Sequence, residues 1–188
     1  RIYMEYKEIV DKIKPELDKA IAFFEGELTK LRTGRASPSL LEDIVVDLFG
    51  KKLPLKQLVA ISALGPRELL VQPWDKSYIE PIEKAILKSA VGGSPIVDKE
   101  VIRVSFPSLT EEFRKNLLRV LSEKQEETRK TIRRWREDVW KEVQEKSRDG
   151  EIREDDKFRA KDKLQELMDE YNKKIDEIGE RKKKDILE

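Results

Sequence analysis

The sequence predicts an α+β protein: a long three-helix bundle with a small α/β domain inserted after the first helix. Three observations carry this. Apolar residues recur at three- and four-residue steps through three long, highly charged stretches. Between the first and second of these stretches charge density falls, and most of the prolines and glycines gather there. The second and third stretches are joined only by a short Asp149-Gly150 connection, which makes them antiparallel neighbours.

Tyr6, Ile9, Ile13, Leu17, Ala20, Phe24, Leu28 and Leu31 fall on one face of a first helix. Pro15 lies within that pattern, so a kink or frayed turn is expected there. Thr33-Gly34 reads as the helix stop, with glycine just beyond the apolar stripe. Four segments rich in Val, Ile and Leu read as strands, at 44–49, 58–63, 68–73 and 101–106. Residues 77–89 read as a helix with Ile79, Ile82, Ala85 and Ile86 on one side. Gly92-Gly93 reads as a turn.

The second long helix starts either from Ser108 and Glu111 at capping-box spacing or from Thr110 as N-cap. Its stripe runs from Phe113 through Leu117, Leu121, Ile132, Trp135 and Val139 to Val143, with Thr128 the only inward candidate in its weak middle. The third runs from about Glu154 to Ile186, with Ala160, Leu164, Leu167, Tyr171, Ile175 and Ile178 inward. At about 1.5 Å per residue each of these helices spans roughly 50–60 Å. A helix with one apolar stripe needs partners, and three such helices supply each other. The bundle is therefore assigned to residues 1–32 and 107–188 and the inserted domain to 33–106. Two crossing segments, 32–36 and 105–108, form a paired hinge whose pivots are Thr33, Gly34, Ser105, Phe106 and Pro107.

Composition narrows the function. Of 188 residues 42% are charged and 38% hydrophobic, yet the net charge is only +1, so a nucleic-acid site has to be a local patch. There is no cysteine and no histidine, which removes disulfides, thiol nucleophiles and the commonest general base and metal ligand. Nothing matches a phosphate-binding GxxxxGK[ST], a GxSxG or an HExxH pattern. The expectation is a protein that is not an enzyme, with no catalytic residues, no metal and no cofactor. No apolar run approaches the roughly 20 residues that span a bilayer. The start RIYMEYKEIV lacks a signal-peptide core. A cytoplasmic, monomeric protein without membrane contact is expected. Met4 is a candidate initiator, which would set residues 1–3 apart from the native chain.

The patch that stands out is Arg129-Lys130-Thr131-Ile132-Arg133-Arg134-Trp135-Arg136. At 100° per residue Arg129, Arg133 and Arg136 share an arc of roughly 60°, outside the arc of Ile132, Trp135 and Val139. A row of guanidinium forks suits a phosphate backbone. The same row also reads as a solvated face, because Glu126, Glu127, Glu137 and Asp138 stand at pairing distance along the helix. Arg32 and Arg35 bracket Thr33-Gly34, where cations also complement a helix C-terminus. Trp74 is expected as a core anchor, and Trp140 leaves surface and interface roles open. Two rival readings are a coiled-coil or chaperone-like protein, which leaves the inserted domain unexplained, and an enzyme using that domain, for which no polar pocket is announced.

The string LRTGRASPSLLEDI from Leu31 to Ile44 resembles the signature of ribosome recycling factors at their first domain crossing. Gln72-Pro73-Trp74-Asp75-Lys76-Ser77, Ile82-Glu83-Lys84-Ala85-Ile86, Pro107-Ser108-Leu109-Thr110-Glu111-Glu112 and Gly150-Glu151-Ile152 resemble further family segments, in order along nearly the whole chain. Glu137, Phe113 and the stretch from Ala90 to Pro95 depart from the usual pattern. The resemblance implies an L-shaped pair of domains, a three-helix bundle and a β/α/β domain joined by two flexible segments, similar in outline to a tRNA. It implies binding to the ribosome after termination, on large-subunit ribosomal RNA, with elongation factor G and GTP driving subunit separation and mRNA release. Carried over, the ribosomal RNA contacts fall on Arg32, Arg35, Arg129, Arg133 and Arg136.

Overall fold

Pro15 decides how the chain enters the bundle. Its ring lacks an N–H and crowds the carbonyl four residues earlier, at Asp11. In a computed structural model describing residues 3–188, the helix breaks there: α1 covers Tyr6–Asp11 and α2 covers Ile13–Thr29, with Lys12 as a turn between them. The expected interruption is thus present, displaced from the proline to Lys12, just after the residue whose carbonyl it crowds. Arg1 and Ile2, the start of the range assigned to the bundle and part of the segment ahead of Met4, lie outside the described residues.

By internal packing the chain forms two compact units. One comprises residues up to Leu28 with Leu118–Lys183, and the other Thr29–Leu117 with Lys184–Glu188. In the first, Leu17, Phe24, Ile132, Val143, Leu164 and Ile175 are buried to within 2% of full exclusion, each from a predicted stripe. Burying an aliphatic side chain of this size contributes about 1.5–3 kcal/mol, which is how helices this charged find a core. Thr128 is buried as expected and turns its hydroxyl back onto the Lys124 carbonyl at 2.8 Å.

After α2 the chain enters the inserted region. Residues Ser39–Glu42 form α3, and Val45–Leu48 and Lys51–Pro54 form a β1–β2 hairpin. Val59–Gly65 (β3), Glu68–Pro73 (β4), Ser94–Asp98 (β5) and Val101–Ser105 (β6) make an antiparallel sheet of order β3-β4-β6-β5. Helix α4, Ile79–Lys88, buries Ile82 and Ile86 in the same core as Val46, Leu69, Val71 and Ile102. Two long helices follow the insert: α5, Glu111–Arg148, and α6, Glu154–Leu187. Thr110 is the N-cap of α5: the Phe113 N–H donates to its Oγ1 at 3.1 Å. At the other end Gly150 takes φ +76°, and Gly150 N–H to Ser147 O (3.1 Å) with Glu151 N–H to Lys146 O (2.9 Å) closes the last turn.

Five sequence expectations need correction, the first being that Phe113, expected at the head of the inward stripe of α5, is 40% exposed. The inserted region holds six strands, not four: β2 (Lys51–Pro54) and β5 (Ser94–Asp98) carry too little apolar alternation to be read, and pairing with β1 and β6 makes them strands. The first helix ends at Thr29, not near Leu31. Gly34 is not its cap, since its φ lies outside the left-handed region. Its small size matters for another reason: a Cβ there would come within 3.0 Å of the Glu188 carbonyl carbon. Trp74 is no core anchor, being 67% exposed. Strand parity explains it, because Leu69 and Val71 occupy the inner face of β4 and residue 74 falls on the other one.

Candidate nucleic-acid interface

On α5 the arginine row is real in geometry but uneven in state. Arg129 is the most engaged, with its guanidinium paired to Asp176 of α6 and a looser approach of 3.8 Å to Glu126. Arg133 is exposed and donates to Glu126 Oε1 at 3.0 Å, a hydrogen bond that holds the Glu126 carboxyl below its usual range. Arg136 is half-buried and forms no ion pair with a described residue. These pairs explain how one helix carries so much positive charge at a net +1: each exposed pair is worth at most about 1 kcal/mol, so it can be exchanged for a phosphate at little cost.

Beyond the row, α5 and α6 enclose a depression of about 420 Å³ lined by Arg136, Glu137, Trp140, Lys161, Asp162, Leu164 and Gln165. The Lys161 ammonium stands 5.9 Å from the Trp140 ring centroid. Sequence reasoning left Trp140 undecided and did not find Lys161 or Asp176. Trp140 had a signal, standing four residues after Arg136. The other two did not, since they depend on the register of α6 against α5.

In the other unit, Arg32 and Arg35 part company. Arg32 donates to the Pro107 carbonyl at 2.8 Å and lies 5.6 Å from the Phe106 ring centroid. Burial there lowers its pKa from the ordinary arginine value. It is a strut between the two crossing segments, with part of its fork still available. Arg35 is exposed, and its carbonyl accepts from the Thr33 hydroxyl at 2.9 Å. Of the remaining pivots, Ser105 ends β6 and Phe106 is buried in the core of the unit, its N–H donating to the Arg67 carbonyl at 2.8 Å. Thr33, Gly34 and Pro107 lie in segments without regular structure.

Among the described residues no cluster of acidic side chains is arranged to hold a metal ion, and no helix is long and apolar enough to cross a membrane. A charged helical bundle with a guanidinium row and an inserted antiparallel module fits the class of ribosome-binding translation factors, and comparison with known proteins places the chain in that class. The family model described as Ribosome recycling factor matches residues 24–187. The ribosome-recycling factor of Natranaerobius thermophilus is 46% identical over 181 residues, covering 96% of both chains. That of Bacillus subtilis is 40% identical over 182 residues, 97% of this chain and 98% of the other. A solution structure of ribosome recycling factor superposes with a TM-score of 0.76 at 36% identity, covering 99% of each chain. A second structure, of the T. thermophilus ribosome recycling factor and the E. coli elongation factor G bound to the E. coli post-termination complex, gives a TM-score of 0.66 at 34% identity, covering 98% of this chain and 100% of that one. The chain belongs to the ribosome recycling factor family.

Proposed function

We propose that this protein binds the post-termination ribosome in the cytoplasm as a monomer and, with elongation factor G and GTP, promotes dissociation into subunits and release of mRNA. The observation that carries the reading is that the likeness to ribosome recycling factors runs the length of the chain and takes in both compact units. The protein contributes contacts and shape, and GTP hydrolysis belongs to the elongation factor. Incubating post-termination ribosomes with the chain, elongation factor G and GTP, followed by sedimentation, is the test. Subunits should accumulate only when all three are present. Unchanged ribosomes with a folded chain would refute the proposal.

In this reading Arg129, Arg133 and Arg136 on the bundle, with Arg32 and Arg35 on the crossing segments, contact large-subunit ribosomal RNA. Arg133→Glu with Arg136→Glu should nearly abolish ribosome binding and flatten its salt dependence, because phosphate contacts release counterions. Thermal unfolding should change little, as neither side chain lies in the seam and glutamate is a good helix former. Normal binding of the double variant at moderate salt would reduce the row to a solvated face. The segments 32–36 and 105–108 serve as the hinge, with freedom concentrated at Thr33, Gly34 and Pro107. Gly34→Val should narrow the spread of interdomain distances measured by fluorescence, and a single fixed distance in the unmodified chain would contradict a hinge.

A further inference from the structure

The geometry points to a nucleobase-stacking site in the depression between α5 and α6, where Arg136, Trp140 and Lys161 take one unpaired nucleotide of RNA. This rests on the reading of the arginine row as an RNA contact and adds to it an aromatic platform. Set at 100° per residue with Arg129 at zero, Arg133 falls at roughly +40°, Arg136 at roughly −20° and Trp140 at roughly +20°. The indole therefore sits inside the cationic arc, while Ile132, Trp135 and Val139 occupy roughly −60° to −120°. Val139 and Ile132 are buried, whereas Trp140 is half-exposed and lines the depression.

The surroundings give that ring a ligand chemistry. Any base offers a π face, and a base already stacked in a duplex has none free, so the site selects unpaired nucleotides. Arg136 has no carboxylate partner among the described residues and is available to a phosphate. Lys161, 5.9 Å from the ring centroid, is a loose cap that a base can displace while its ammonium stays within reach of the backbone. Glu137 and Asp162 border the same depression. They repel phosphate and accept hydrogen bonds from exocyclic amino groups, so the base points inward and its phosphate lies toward Arg136.

Bacterial ribosomes serve as the probe, with affinity and its salt slope measured for the full chain and for Trp140→Leu, Trp140→Phe and Lys161→Gln. Leucine keeps a helix-favouring apolar side chain but has no π face, and the phenylalanine variant, which also lacks the indole N–H, isolates the loss of the ring. Trp140→Leu should bind about tenfold more weakly with an unchanged salt slope, and Trp140→Phe should retain most of the affinity. Lys161→Gln should lower the slope by about one. Chemical probing should show one ribosomal RNA base whose reactivity changes with the unmodified chain and with Trp140→Phe but not with Trp140→Leu. Equal binding by the Leu and Phe variants, or a base pattern unchanged by Trp140→Leu, overturns the stacking site. If Arg133→Glu with Arg136→Glu still abolishes binding in that case, the arginine row stands and only the platform fails. If the arginine variant also binds normally, the RNA reading of the row fails first.

Discussion

Tyr171 is 3% exposed, and its hydroxyl donates to the Asp18 carboxylate, tying α6 to α2 across the bundle. Removing that bond with Tyr171→Phe should cost about 1–2 kcal/mol in urea unfolding, since the carboxylate loses a charge-assisted partner. The same contact has a pH signature. Burial, then the hydrogen bond to Asp18, raises the phenol above the ordinary value of 10.0. Its contribution is fully present below that value and is lost as pH rises through the higher folded pKa. Stability should fall above about pH 10, less steeply in Tyr171→Phe than in the parent; parallel curves would remove Tyr171 from the account. Phe49 shows the opposite condition. It holds φ 51° beside Gly50 at φ 88°, in the two-residue turn that closes the β1–β2 pair at Leu48 and Lys51. Both central residues of such a turn need positive φ, which asparagine tolerates and phenylalanine does not. Phe49→Asn should stabilise the protein by about 1 kcal/mol in denaturant titration.

At the scale of elements, Thr110 carries the start of a 38-residue helix on one hydroxyl. Thr110→Ala should cost about 1 kcal/mol, read as a lower denaturation midpoint with an unchanged slope; a loss no larger than at an exposed helical threonine would mean the cap is redundant. Helices of this kind were legible because their period is local: Ile13, Leu17, Phe24 and Leu28 announce a face without knowledge of what covers it, while at the middle turn the expected Ala20 is half-buried and its neighbour Ile21 is buried. Strands β2 and β5 were not, because Lys51-Lys52 and Ser94-Pro95 take their conformation from the strand beside them. The candidate site divides in the same way. The angular row of Arg129, Arg133 and Arg136 follows from sequence spacing alone. The pairing of Arg129 with Asp176, and the placing of Lys161 by Trp140, follow only from the packing of α6 on α5.

For the molecule as a whole, 40 basic and 39 acidic residues leave a net charge of +1, and no histidine is present. No side chain with an ordinary pKa changes charge between about pH 5.5 and 8. Ribosome binding should therefore be flat across that range at fixed ionic strength, yet fall steeply with added salt. A titration near pH 6.5 that arises from this protein, and not from the ribosome, would contradict this. The isolated chain should also turn over neither GTP nor ATP, since it has no phosphate-binding loop and no general base of the usual kind. Steady hydrolysis that co-purifies with the chain and disappears on a single carboxylate substitution would count against the family reading of a protein that does no bond chemistry.

The edge strand β5 has a further consequence, for what happens when many copies are crowded together. Ile96 is 61% and Val97 41% exposed on a strand with one side unpaired, the makings of a template for another chain. Counting back from the two-residue turn at Lys99-Glu100, Pro95 opposite Val104 falls on a non-hydrogen-bonded pair. The N–H that proline lacks is then the one that would face outward, so the open edge has a missing rung where a second strand would dock. Pro95→Val restores that rung and improves local strand propensity, and by ordinary reckoning it is a conservative change. It should nonetheless shorten the lag before light scattering rises on gentle heating, in proportion to protein concentration. A folded fraction that survives heating equally well in both forms would show that the proline protects nothing.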